Sequence, residues 1–88
     1  MICEKDKSVI LKYAEKYKLS TVILFGSSLE KEDTNDIDIG IKGIAPGRFF
    51  EFYGELLLAL TKRVDIVDLS KATSFNKLIE KEGLKLYG

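Results

Sequence analysis

The 88-residue chain has no histidine and only one cysteine, one proline and one methionine. Each shortage removes a class of chemistry. Without histidine the chain can hold neither a Ser-His-Asp or Cys-His nucleophile system nor a His-ligated zinc. The lone cysteine, Cys3, can neither staple the fold nor build a thiolate metal cage, and beside the amino terminus it reads as a passive residue. No apolar run approaches the ~18 residues of a membrane span, and "MICEKDKS" lacks the basic and apolar regions of a secretory leader. The expected location is cytoplasmic, with no membrane partner. Charge excess is missing too: 14 Lys+Arg face 14 Asp+Glu, so there is no strong nucleic-acid signal of the bulk electrostatic kind.

What remains is a chemistry of carboxylates and hydroxyls on a small folded domain. With 45% hydrophobic and 32% charged residues the chain is globular rather than disordered. Its length lies near the lower limit for a self-sufficient core, which favours a partner or self-association as a homo-oligomer. No repeat, low-complexity tract or linker divides it, so residues 1–88 read as a single domain.

Helical spacing of Val9, Ile10, Tyr13, Ala14 and Tyr17 predicts an amphipathic helix over Lys5 to Lys18. "TVILF", Thr21 to Phe25, is a short β-branched run that reads as a buried strand ending at Gly26, and "DIDIGI", Asp36 to Ile41, alternates with the period of a half-buried strand. Pro46 suits the first turn of a second helix, whose wide apolar surface runs from Phe49 to Leu60. "RVDIVDL", Arg63 to Leu69, predicts a third strand, and Ser74 a cap for a last helix through Glu82 that stops at Gly83. The short link between the first two strands favours an antiparallel pair. The fold class is α/β (α+β): a short mixed sheet of about three strands packed by about three helices.

Alternation puts Ile37, Ile39 and Ile41 on one face of the second strand and Asp36, Asp38 and Gly40 on the other. The two aspartate α-carbons then lie about 6.5 to 7 Å apart, close enough for their carboxylates to converge on one cation. Left alone, the charges repel and aspartate is a poor strand former. A divalent cation relieves both costs, and all-oxygen ligands suit Mg²⁺ or Mn²⁺. An isolated Asp-x-Asp is most often just a solvated strand face. Here Asp65 interrupts another apolar strand and can bring a third carboxylate to the same pole, whereas Asp68 has the opposite parity and reads as structural.

The "FGSS" corner supplies the other half of such a site. Gly26 lets the chain turn sharply and a ligand approach the backbone, while turn amides and the Ser27 hydroxyl can cradle phosphate oxygens. Two rival motifs fail on spacing. An EF-hand register starting at Asp33 would place Ile37 and Asp38 where an oxygen ligand and a glycine belong, and no Gly-Lys-Ser/Thr is present to make a P-loop.

Strand, Gly-Ser, polar spacer, Asp-hydrophobic-Asp-hydrophobic and a later strand aspartate together resemble the signature of the nucleotidyltransferase superfamily related to DNA polymerase beta. The chain is most similar to its shortest branch, the minimal nucleotidyltransferases of bacterial and archaeal two-gene modules, and the likeness runs from the helix before "LFGSS" to the ending "LIEKEGLKLYG". The resemblance implies that Gly26, Ser27 and Ser28 hold the phosphates of a nucleoside triphosphate. It implies that Asp36, Asp38 and Asp65 form the catalytic, metal-binding triad, with two Mg²⁺ ions. The implied reaction transfers a nucleoside monophosphate, AMP from ATP, to a hydroxyl. The implied partner is a helical HEPN-family toxin, with this chain as the antitoxin that modifies one of its tyrosines.

One departure from the pattern stands out. Close relatives carry Gly-Ser-Arg-Ala-Arg-Gly, whereas the loop here reads "SSLEKEDT", with Lys31 and no arginine. An ammonium does not reproduce the bidentate fork of a guanidinium. That opens a second expectation, a weak or inactive nucleotide-binding antitoxin acting by complex formation, unless Arg48 or Arg63 reaches the phosphates from elsewhere.

Overall fold

The computed structural model describes residues 3–26 and 36–88. Three helices and four strands follow in the order α1 (Glu4–Lys16), β1 (Thr21–Phe25), β2 (Asp36–Lys42), α2 (Phe49–Ala59), β3 (Arg63–Asp68), α3 (Ser74–Glu82) and β4 (Leu84–Tyr87). The strands form one sheet in the order β3-β2-β1-β4, with β1 antiparallel to both β2 and β4 and β2 parallel to β3. A parallel pair needs a crossover, and α2 supplies it.

α1 carries Glu4 and Asp6 in its first turn and Lys16 in its last, matching the helix dipole. It ends two residues short of the expected Lys18. There the Leu19 amide donates to the Ala14 carbonyl and the Lys18 amide to the Glu15 carbonyl, a Schellman stop with Lys18 at φ 55°. Asp6 is buried but satisfied: its carboxylate accepts from the Thr61 amide at 3.1 Å and the Thr61 hydroxyl at 2.6 Å. This ties α1 to the turn before β3.

Ile10 and Ala14 of α1, Val22 and Leu24 of β1, Phe52 and Leu56 of α2 and Val64 and Ile66 of β3 close over Ile37, Ile39 and Ile41 in the main core. The expected register of β2 is therefore observed. The other face of the sheet is covered only in part. Ile79 of α3 packs there with Ile23 and Leu69, and Phe25 and Val67 lean on them; Leu69 also sits over Gly40.

Three boundaries differ from the sequence reading. Pro46 does not open α2: the Arg48 amide donates to the Ala45 carbonyl at 3.1 Å, so Pro46 and Gly47 form a separate turn and the helix starts at Phe49. At α3 it is Thr73, not Ser74, that caps, its hydroxyl accepting from the Asn76 amide at 3.1 Å. Beyond Gly83 the chain makes a fourth strand, Leu84–Tyr87, against β1. Its Leu-Lys-Leu-Tyr alternation is a strand signal, but four residues are too few to stand without the edge that β1 provides.

On the outer side of α2, Phe50 is 82% and Leu58 91% exposed, whereas Phe52 and Leu56 are fully buried. Among the described residues no helix is long and apolar enough to cross a membrane.

Candidate functional site

The uncovered part of the second face lies where β1 ends and β2 and β3 begin. Asp36 and Asp38 project there because the isoleucines between them are drawn into the core. Parallel pairing sets Asp65 directly beside Asp38, and antiparallel pairing sets Phe25 on its other side. Paired strands lie about 4.8 Å apart, so Asp38 stands between Asp36 along its own strand and Asp65 across the ladder. Asp36 and Asp38 are half-buried and Asp65 is exposed at the sheet edge. The three expected carboxylates thus share one pole of one face.

The electrostatics of this pole are unfavourable as it stands. The Asp38 carboxyl is pushed above its ordinary pKa, first by burial, then by the charge of Asp65, then by that of Asp36. Arg63, beside Asp36 in the parallel register, brings its Nε to 3.8 Å from Asp36 Oδ1. That side chain is 84% exposed, and such a pair contributes little. Among the described residues no three acidic or cysteine side chains are gathered tightly enough to hold a metal ion. The donors nonetheless fit a hard divalent cation in kind: all are carboxylate oxygens, and the central one carries charge that burial and two like neighbours disfavour.

Gly26 closes the pole from β1. Its φ is +72°, and a β-carbon there would come within 2.6 Å of Asp38 Oδ2. Only glycine lets the backbone turn this close to the carboxylate. Of the expected phosphate corner, Ser27, Ser28 and the neighbouring Lys31 lie outside the described residues.

Other side chains at the pole had no motif to announce them. Tyr53 of α2 reaches the sheet edge and donates to the Val64 carbonyl at 3.0 Å, next to Asp65; burial first and the Asp65 charge second raise its pKa. Phe75 of α3 meets Phe25 edge-on, with ring centroids 6.1 Å apart and planes at 84°. The first contact joins consecutive elements and the second joins elements far apart in the chain, and only the aromatic character of these residues was visible in the sequence. Arg48 is not at the pole. Its guanidinium lies 4.5 Å from the Tyr17 ring centroid and pairs with Glu51 on the opposite side of the sheet. Asp68 is structural as expected: at the end of β3 its Oδ1 accepts from the Ser70 amide at 2.9 Å.

The family model described as Polymerase beta, Nucleotidyltransferase matches residues 8–88. No curated protein matches the chain. Solved structures do. A toxin–antitoxin complex with AMP-PNP contains a chain 28% identical with a TM-score of 0.75; the match covers 98% of this protein and 74% of that chain. A complex of the tri-AMPylated HEPN toxin of Shewanella oneidensis with its MNT antitoxin gives 27% identity and a TM-score of 0.71, covering 94% and 70%. The toxin–antitoxin pair MntA–HepT gives 27% identity and a TM-score of 0.70, again covering 94% and 70%.

Proposed function

Since the chain belongs to the polymerase beta nucleotidyltransferase family, we propose that it is a Mg²⁺-dependent transferase that moves AMP from ATP to a hydroxyl of a HEPN-type protein partner, with pyrophosphate as the leaving group, and thereby acts as its antitoxin. The observation that carries this reading is the register of Asp38 with Asp65, with Asp36 two residues along the same face and the backbone of Gly26 against Asp38. Three carboxylates gathered at one pole, the central one disfavoured by burial and by two like neighbours, add nothing to the stability of the fold. A nucleoside triphosphate with its cation accounts for it.

In this reading Asp36, Asp38 and Asp65 hold Mg²⁺, with Mn²⁺ as a substitute. The bound cation would supply electrostatic stabilisation of charge on the transferring phosphoryl group. Asp38, between the other two, keeps the carboxylates oriented on one side of the sheet. Asp65, exposed at the edge strand, is open to an acceptor from outside and takes the proton of its hydroxyl. Gly26, with Ser27 and Ser28, holds the phosphates. The solved relative with AMP-PNP and the one with a tri-AMPylated toxin support the nucleotide and the partner, and the exposed ridge of Phe50, Leu57 and Leu58 offers apolar surface to a partner. Residues 1–88 work as one cytoplasmic domain.

A second reading has its own support. The loop after Gly26 has no arginine, and Arg63 is directed to Asp36, so an antitoxin that binds nucleotide weakly and neutralises its partner by complex formation alone is the alternative.

Calorimetric titration with ATP, with and without Mg²⁺, on the wild type and on Asp36→Asn/Asp38→Asn, followed by mass spectrometry of the partner, separates the two. The enzyme reading expects Mg²⁺-dependent ATP binding that the variant loses and a mass increment of one AMP per modified tyrosine. A partner left unmodified yet still neutralised by the double variant supports the second reading.

A further inference from the structure

The acid pole has an apolar neighbour that the carboxylates themselves do not use. Phe25 is the residue directly across the ladder from Asp38 and points to the same face. Phe75 stands against it from the first turn of α3. Yet α3 buries only Asn76 and Ile79, and Phe75 keeps 55% of its surface in solvent. A large ring held edge-on by a second ring has its orientation fixed while one side stays open. The combination of a fixed aromatic face and a carboxylate pole on one side of a sheet matches a ligand that is aromatic at one end and polyanionic, with its cation, at the other.

We propose that the Phe25–Phe75 pair is a base-stacking platform, on which the nucleobase lies against the exposed side of Phe75 while its phosphates extend to the pole of Asp36, Asp38 and Asp65. This rests on the nucleotidyltransferase reading above and adds the base to it. Stacking on a ring is tolerant of base identity, since every base has a π-face, and favours the larger purines. Phe25 is the positioning residue: it acts through Phe75, by setting the angle of its ring. Specificity for adenine over guanine is not expected from this contact alone.

The test separates the base from the phosphates. Wild type, Phe75→Ala, Phe75→Leu and Phe75→Tyr are titrated calorimetrically with ATP, UTP and inorganic tripolyphosphate, each with Mg²⁺. The Kd for ATP is expected to rise about 5- to 150-fold in Phe75→Ala and in Phe75→Leu, which keeps the apolar contact with Phe25 but has no π-face. Phe75→Tyr should stay close to wild type, ATP should bind more tightly than UTP, and tripolyphosphate should bind all four proteins alike. That last comparison also reports that the acid pole is intact in each variant. An unchanged ATP Kd in Phe75→Ala, or a parallel loss of tripolyphosphate, overturns the platform while leaving the nucleotide reading in place. A wild type that binds neither ATP nor tripolyphosphate overturns both.

Discussion

Two groups of acids sit on opposite sides of the same sheet, and they are treated in opposite ways. On the helical side, Glu55 accepts from the Tyr17 hydroxyl and pairs with Lys16 at 2.9 Å, while Glu51 pairs with Arg48 at 3.2 Å. Both glutamates are held below their ordinary pKa, Glu55 first by the Tyr17 hydrogen bond and Glu51 first by Arg48. On the open side, Asp38 is pushed up by burial and by two further aspartates. Glu55 and Glu51 thus each have a cation beside them. Asp38 has two like charges beside it, and a carboxylate perturbed in that way marks the open face as a candidate ligand site.

The largest expected effect is the removal of that gathering. Asp36→Asn/Asp38→Asn should abolish Mg²⁺-dependent ATP binding and AMP transfer, measured by calorimetry and by mass spectrometry of the partner, while leaving the far-UV circular dichroism and complex formation unchanged. Persistence of metal-dependent binding would erase the distinction between the two faces. Next comes the support beneath the pole. Ile39 is fully buried between Asp38 and Gly40, so Ile39→Ala should cost about 2 to 5 kcal/mol in denaturant unfolding. A loss under 1 kcal/mol would mean that the acid strand is not pinned by the core.

Gly26→Ala probes the junction of strand and pole. A left-handed φ costs an L-residue about 1 to 2 kcal/mol, and the new methyl would press on the Asp38 carboxylate. Stability should fall by about that amount, and Mg²⁺-dependent ATP binding should weaken even in protein that is fully folded by circular dichroism. Equal binding in wild type and variant would free Gly26 from any part in the site.

How much of this was legible beforehand differs between residues for physical reasons. Period-two alternation alone assigned Ile37, Ile39 and Ile41 to the core and the aspartates to the other face, because a strand between a hydrophobic layer and an open surface has no other register available. The antiparallel link of β1 and β2 followed from the short connection. Asp65 belonged with Asp38 only if β3 ran beside β2, and the observed pairing meets that condition. By contrast, β4 was missed because a four-residue strand is stabilised by the edge it joins rather than by its own sequence. The Pro46 boundary failed because Pro-Gly closes a turn of its own before a helix can begin. Arg48 and Arg63 are alike in sequence, but only one of them faces the pole; tertiary packing decides that. The meeting of Phe25 with Phe75 and of Tyr53 with the β3 edge depends on the same packing, and no local pattern encodes it.

A smaller effect reverses the usual sense of removing a charge. In metal-free protein at neutral pH, Asp38→Asn relieves a carboxylate that burial and its neighbours disfavour in the folded state, so the melting temperature should rise. Added Mg²⁺ should then raise the wild-type melting temperature toward or past that of the variant while leaving the variant unmoved, since a ligand stabilises only the state that binds it. A drop in the melting temperature of metal-free Asp38→Asn would mean that its charge stabilises the fold, as that of Glu55 does, and would end the contrast.

The mirror experiment belongs on the helical side, and pH gives its sign. Glu55 has a lowered pKa in the fold, so its ionised form contributes stability above the ordinary carboxylate range. That contribution is lost as the pH falls through the depressed folded value, where proton uptake favours the unfolded chain. Glu55→Gln removes the titrating group together with the Lys16 pairing. The variant should therefore be slightly less stable than wild type at neutral pH, and the gap should close on acidification as the wild type surrenders the same interaction. Because Lys16 is largely in solvent, added salt should also narrow the gap at neutral pH. Urea melts across the acid range read both effects. If the gap instead widened as the pH fell, Glu55 would be behaving like Asp38, and the two faces would not differ in how they treat their acids.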